Sequence, residues 1–168
     1  MIVGHHALRT RIDELFPKEK PYKIGAASVD VCVGNEIIRE GCEKVKIHNH
    51  SEDTPVLMEP GEFLLVVMKE HTVVPKDLCC LFLLKSTMAR MGMNHMFAGW
   101  IDPGWDGMLT MELKNNNQER PLPLWPGMPI GQLIYMPVLD GGGCYGGRYQ
   151  HSEGVVAARE EIEYDAGA

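Results

Sequence analysis

The chain lacks a long apolar run, a paired-cysteine motif, an excess of basic residues and any internal repeat, and each absence removes a class of protein. No segment approaches the roughly 20 consecutive apolar residues of a membrane-spanning helix, so no membrane partner is expected. His5, His6, Arg9 and Arg11 interrupt the N-terminal stretch early, and the apolar segment and small-residue cleavage site of a secretory leader are not recognisable. The expected location is the cytoplasm. The five cysteines stand at positions 32, 42, 79, 80 and 144, an odd set without a C-x-x-C pair, which fits neither a disulfide framework nor a zinc ribbon. Cys79 and Cys80 lie inside an apolar run at 78–84, where cysteine behaves as a small hydrophobe. With 16 lysines and arginines against 23 acidic residues, a net charge of -7 and dispersed bases, the electrostatic footprint of a DNA- or RNA-binding protein is missing. A small phosphorylated ligand remains compatible, because a local cationic pocket with Mg2+ does not require a basic protein.

What is present is enough chain for one domain, 168 residues, with a real core and no disulfide staples. Leu8, Ile12, Leu15 and Phe16 fall on one helical face before Pro17, which predicts a short amphipathic helix over 6–16. From Ile24 the period changes: Val29, Val31 and Val33 alternate with Asp30 and Cys32, and Gly34-Asn35 reads as a turn. Further strands are predicted at 63–68, 78–84, 108–113 and 130–136, with one helical turn at 86–91. Short strands separated by Pro-Gly, Asp-Pro-Gly and Asn-Asn-Asn argue for a mainly β chain, an antiparallel sandwich or barrel, over a βαβ fold. The glycines between 140 and 147 read as a hinge into a flexible C-terminal tail at 140–168.

The segment 84–115 sets four polar or charged groups, Lys85, Ser86, Arg90 and Glu112, in an apolar strand framework. In a strand Glu112 points with Thr110 and away from Met111 and Leu113. A carboxylate amid Leu109, Met111 and Leu113 is costly to bury unless it is partnered or works as an acid or base. The competing reading puts Glu112 on the solvent face of an amphipathic strand, and alternation alone does not choose. His48 and His50 lie in a polar loop without cysteine at ligand spacing, so a solvated loop is expected there and no metal site.

Several motifs in order resemble the dCTP deaminases, homotrimeric enzymes sharing the distorted β-barrel fold of trimeric dUTPases. The family pattern A-S-V-D-L-R-L-G is matched by Ala27, Ser28, Val29, Asp30, Val31, Cys32, Val33 and Gly34, with Cys32 in place of arginine. G-R-S-S-x-x-R-x-G is similar to residues 84–92, A-G-x-I-D-P-G-[FW]-x-G to 98–107, and P-G-M-x-I-G-Q-L to 126–133, while the glutamate of T-L-E-L falls on Glu112. The resemblance implies a homotrimer and a hydrolytic deamination without zinc, in line with the missing H-x-E and P-C-x-x-C signature of zinc deaminases. Glu112 would be the general base, taking a proton from a water that attacks C4 of cytosine. Arg90 would be the cation beside it. Ser86 would hold the water, together with backbone near Phe97 and Ala98. Lys85, Ser86 and Thr87 would bind the triphosphate with its Mg2+. Asp102 would accept from the sugar 3′-hydroxyl, and Trp105 would pack on deoxyribose, with a place in the plain core as its alternative. Thr110 and Met111, next to Glu112, and Gln132 complete the pocket. Tyr145 and Arg148 open the tail, in which Ser152 stands where the family has glutamine.

Some such enzymes stop at dUTP, and others cleave on to dUMP. The spacing from Ser86 to Asp102 and the short Tyr145 to Arg148 interval resemble the bifunctional kind, in which Asp102 would also position the water attacking phosphorus. Two other readings stay open: a plain dUTPase, opposed by Glu112 where dUTPases carry an apolar residue, and a silent nucleotide-binding regulator, suggested by Cys32 and Ser152. The expected ligands are dCTP, dUTP and, as an inhibitor, dTTP.

Overall fold

β-Branched and aromatic residues concentrate in the runs that pair, and the polar Gly, Pro and Asn clusters fall between them. The structure is a computed structural model and describes residues 1–139 and 143–159. Two short helices open the chain, α1 (His5–Thr10) and α2 (Ile12–Leu15). Strands β1 (Lys23–Ile24), β2 (Val29–Arg39), β3 (Lys44–Lys46), β4 (Val56–Met58), β5 (Phe63–Val73) and β6 (Leu78–Leu84) follow. Helix α3 (Ser86–Arg90) then leads into β7 (Met93–Asn94), β8 (Trp100–Ile101), β9 (Asp106–Asn115), β10 (Leu122–Leu124) and β11 (Pro129–Pro137). The main sheet runs β7-β9-β5-β2-β11-β6-β8, with β1 and β3 added to β2, and β4 with β10 forms a separate ribbon. Every pairing is antiparallel, and the sheet curls into a half-barrel, as the mainly β expectation requires.

Strand β2 holds the two halves of the curl together. Its first half pairs with β11, Gln132 opposite Asp30, and its second half pairs with β5, Ile37 opposite Val66. The turn expected at Gly34-Asn35 is absent: the strand continues through it, with a register shift against β5 between Val33 and Ile37. Gly34 permits this because a Cβ there would lie 2.6 Å from Val67 Cγ1 and 2.9 Å from Val67 O. A strand glycine here marks close backbone approach and a bulge. Asp30 and Cys32, which alternate with the valines of this strand, are covered as well, at 7% and 2% exposure, in a strand that lies between β5 and β11 in the sheet.

The helix expected over 6–16 is interrupted at Arg11, whose backbone leaves helical geometry (φ -99°, ψ 5°). Its guanidinium donates to Glu14 at 2.7 Å and to both Asp77 oxygens at 2.7 and 2.9 Å. The apolar face survives the break, with Leu8, Leu15 and Phe16 in the core. Thr72 Oγ1 donates to Leu15 O at 3.1 Å, so the buried Tyr135 hydroxyl is the donor in its 3.0 Å contact with Thr72. These bonds tie the helical segment to the end of β5 and, through Thr72, to Tyr135 of β11.

Candidate active site

Strand β9 supplies the alternation on which the site is built. Met111 and Leu113 point into the core at 1% and 0% exposure, while Thr110 and Glu112 face a cavity of about 350 Å3 on the other side. Register with β5 places Leu65 opposite Glu112, and Leu65 with Phe63 forms an apolar wall of that cavity. Glu112 is therefore neither solvent-facing nor core. Burial pushes its carboxyl above the usual value of 4.5, partly offset by its own backbone N–H, and no cation contributes. Such a group moves a proton more readily than a solvated carboxylate at neutral pH.

The opposite wall comes from the Asp-Pro-Gly-Trp turn. Pro103 and Gly104 occupy the positions that favour a tight turn, Gly104 at φ +83°, and Trp105 N–H closes it on Asp102 O at 3.2 Å. Any side chain at Gly104 would also strike Cys144 Sγ, 2.3 Å from the Cβ position. The turn delivers Asp102 and Trp105 to the cavity with Trp100, Ile101 and Ala98. Trp100 Nε1–H donates to Asp102 Oδ1 at 2.8 Å. Trp105, 6% exposed, has an indole N–H without a partner among the described residues and meets Tyr145 edge-on at 5.7 Å. The alternative of a plain core role for Trp105 is only half apt: its ring is buried, yet it lines the cavity.

Described tail residues 143–159 close the third side. Tyr145 N–H donates to Pro103 O at 2.7 Å, and Tyr149, Ser152, Val156, Ala157 and Ala158 join the lining. The expected flexible hinge and far tail fall partly on 140–142 and 160–168, outside the described residues. Arg148 is exposed and donates to Arg159 O at 3.2 Å.

The other expected site residues stand elsewhere. Ser86, Thr87 and Arg90 lie on α3, exposed, with no side-chain bond among the described residues, and none of them lines the cavity with Glu112. Lys85 Nζ pairs with Asp30 Oδ2 at 2.6 Å, and Gln132 accepts from Ser28 Oγ at 3.0 Å. These four residues form a second polar group where β2, β6 and β11 meet. Met111, expected in the pocket, points into the core instead and does not line the cavity, because strand alternation sends it to the face opposite Glu112. Met96 and Phe97, before Ala98, hold left-handed backbone at φ 54° and 61°, and Phe97 is 87% exposed.

Sequence reasoning missed Phe63, Leu65, Tyr149 and Val156 as cavity residues, and the buried Glu70. Glu70 is 1% exposed and accepts from Cys32 N–H at 2.9 Å, and burial raises its carboxyl while pushing the Cys32 thiol up to about 12. A charged residue inside the run of β5 was the available signal for Glu70. Among the described residues no three His, Cys, Asp or Glu side chains gather as a metal-binding group, His48 and His50 included.

The chain matches the model of the family described as dCTP deaminase-like over residues 2–138. It is 31% identical over 188 aligned positions to a protein of Pseudarthrobacter chlorophenolicus named "dCTP deaminase, dUMP-forming", covering 98% of this chain and 97% of that one. A protein of Kocuria rhizophila with the same name is 35% identical over 133 positions, 75% of this chain and 69% of the relative. Among solved structures it is similar to a 2'-deoxycytidine 5'-triphosphate deaminase from Agrobacterium tumefaciens, with TM-score 0.64 and 18% identity. That match covers 80% of this chain and only 47% of the other, which is about twice as long as the shared part. The native EIAV dUTPase follows the same fold, with TM-score 0.53 and 17% identity over 80% of this chain and 95% of that one. With the cavity, the strand alternation and a family match spanning most of its length, the chain belongs to the dCTP deaminase-like family.

Proposed function

We propose that this chain hydrolyses the 4-amino group of dCTP and then releases pyrophosphate in the same site, giving ammonia and dUMP. The observation that carries the reading is Glu112, a half-buried carboxyl raised by burial and facing a cavity of about 350 Å3 beside Asp102 and Trp105. Glu112 takes a proton from water as that water adds to C4 of cytosine, and returns it toward the departing ammonia. One carboxyl serves both transfers because its two protonation states lie closer in energy than in water. Trp105 packs on the deoxyribose, where a 2′-hydroxyl would clash. Asp102, oriented by the Trp100 indole, accepts from the 3′-hydroxyl and positions the water for the second step, in which that water attacks the α-phosphorus and the bond to the β-phosphate bridge breaks. The dUMP-forming name of the relatives supports this second step.

Mg2+ enters with the substrate, chelated by triphosphate oxygens, as hard cations of this size commonly are. A zinc-free first step is supported by the donor set, since the chain carries no H-x-E with P-C-x-x-C and its described residues gather no ligand cluster. Ser86, Thr87 and Arg90, exposed and without a side-chain partner among the described residues, support a homotrimer in which α3 of one subunit completes the cavity of the next. dTTP, with the same sugar and triphosphate, is the proposed competitor. Five free thiols suit a reducing, cytoplasmic setting.

Incubation with dCTP and Mg2+, following ammonia, dUTP, dUMP and pyrophosphate, tests both steps. Ammonia, dUMP and pyrophosphate in equal amounts are expected. Absence of ammonia overturns the deaminase reading. Turnover of dUTP alone would make the chain a plain dUTPase, and accumulation of dUTP from dCTP would remove the second step.

A further inference from the structure

Beyond the groups that face Glu112, one cluster of titratable side chains joins three separate elements. Asp106 begins β9, His71 lies in β5, and His151 lies in the tail. His71, 8% exposed, sits with Nε2 at 2.5 Å from Asp106 Oδ1. A carboxylate only accepts, so this nitrogen carries the proton, and Nδ1 is left buried without a partner among the described residues. The other Asp106 oxygen lies 3.3 Å from His151 Nδ1.

The backbone around the same residue is gripped as well. His151 N–H donates to Asp106 O at 2.8 Å, and Met108 N–H donates to Ser152 O at 2.8 Å. The Gln150 side chain brackets Trp105: its Oε1 accepts from Asp106 N–H at 3.2 Å and its Nε2 donates to Gly104 O at 2.8 Å. His151 holds φ +59°, a left-handed conformation that a non-glycine residue keeps only where its surroundings impose it. Four residues on, Val155 is 1% exposed with its N–H on Glu36 Oε2 at 3.0 Å, and Val156 N–H donates to Thr110 Oγ1 at 3.0 Å. The docked segment supplies Ser152 and Val156 to the cavity wall that Glu112 and Trp105 share. Asp106 occupies the second of the two unspecified places of the A-G-x-I-D-P-G-[FW]-x-G pattern, so nothing in that pattern calls for it.

We propose that Asp106, held between His71 and His151, is a positioning residue that docks tail residues 150–156 on β9 and so builds one wall of the nucleotide cavity. It touches no reacting atom in this role. It acts by fixing Gln150 and His151, which in turn hold Ser152 and Val156 where a bound nucleotide meets them. The identity of that nucleotide rests on the function proposed above. The docking itself does not.

Two measurements on the full chain separate these. Hydrogen exchange without nucleotide reads the clip directly. The amides of His151, Val155 and Val156 are expected to be protected in the parent and to exchange at least about tenfold faster in Asp106→Asn and His151→Ala, with β5 and β11 unchanged. The His151 ring is 71% exposed, so its removal leaves the core intact. Steady-state kinetics with dCTP then read the consequence: KM rises about tenfold, in keeping with loss of a charge-assisted bond, while kcat stays within about threefold. The double variant should show no more than the larger single effect, because both substitutions undo one junction. Unprotected tail amides in the parent, or additive KM effects, would overturn the proposal. Protected amides in a chain that releases no ammonia would uphold the clip and overturn the substrate.

Discussion

Glu112 and Glu70 are two carboxyls raised by burial in neighbouring strands, and their surroundings separate their roles. Glu70 is sealed at 1% exposure on a backbone N–H, whereas Glu112 opens on a cavity large enough for a ligand. Each folded carboxyl binds its proton more tightly than the unfolded one, whose value is 4.5. Stability is therefore lost as pH rises through that value toward the folded pKa. Glu112→Gln and Glu70→Gln should both melt higher than the parent at neutral pH, with the gain vanishing below about pH 4.5, as calorimetry over a pH series would read. Their activities should part. Glu112→Gln is expected to lower ammonia release by about 10^2 to 10^4 while dCTP binding stays within a few-fold by calorimetric titration, and Glu70→Gln should leave turnover near the parent's. The facing of Glu112 with Thr110 was legible from alternation. That the face was a cavity was not, because Phe63, Leu65, Trp105 and Val156 come from distant parts of the chain.

Strand β2 shows how one residue decides an element. Gly34-Asn35 carries a turn signal that local pattern cannot distinguish from a bulge, and contact with Val67 on β5 is what resolves it. Gly34→Ala forces a Cβ to 2.9 Å from the Val67 carbonyl, backbone that cannot swing aside. A loss of about 1 to 3 kcal/mol is expected in urea unfolding. Gly146→Ala, with nothing within 4 Å of the added carbon, should stay within about 0.5 kcal/mol of the parent. The opening helix follows the same logic: its apolar face was readable from Leu8, Ile12, Leu15 and Phe16, whereas the break at Arg11 depends on Asp77, a partner 66 residues away.

At the scale of the molecule, the expected site residues divide into two sets that one chain does not unite: Asp102, Trp105, Thr110, Glu112 and Tyr145 around the cavity, and Ser86, Thr87 and Arg90 on α3. A homotrimer that joins the sets across subunits makes a quantitative prediction. Arg90→Ala and Glu112→Gln are each inactive alone, but subunits mixed after unfolding and refolding together should recover about a quarter of parental activity, since one pairing in four joins two intact halves. No recovery, with trimers formed, would place the two sets in one subunit. Sedimentation of the mixture provides the check on assembly.

Several properties are set locally and were therefore open to reading in order along the chain: strand period, the Asp-Pro-Gly-Trp turn, the facing of Glu112 with Thr110 and away from Met111 and Leu113, and the motif order from Ala27 to Leu133. They determine a mainly β chain of the dCTP deaminase-like family with a carboxylate at Glu112. Tertiary structure alone decided that Asp30 and Cys32 are covered, that Glu112 faces a walled cavity, and that Asp106 meets His71 and His151. The physical reason is common to all three. Burial, desolvation and hydrogen-bond partners belong to the space around a side chain, and that space is filled by residues tens of positions away.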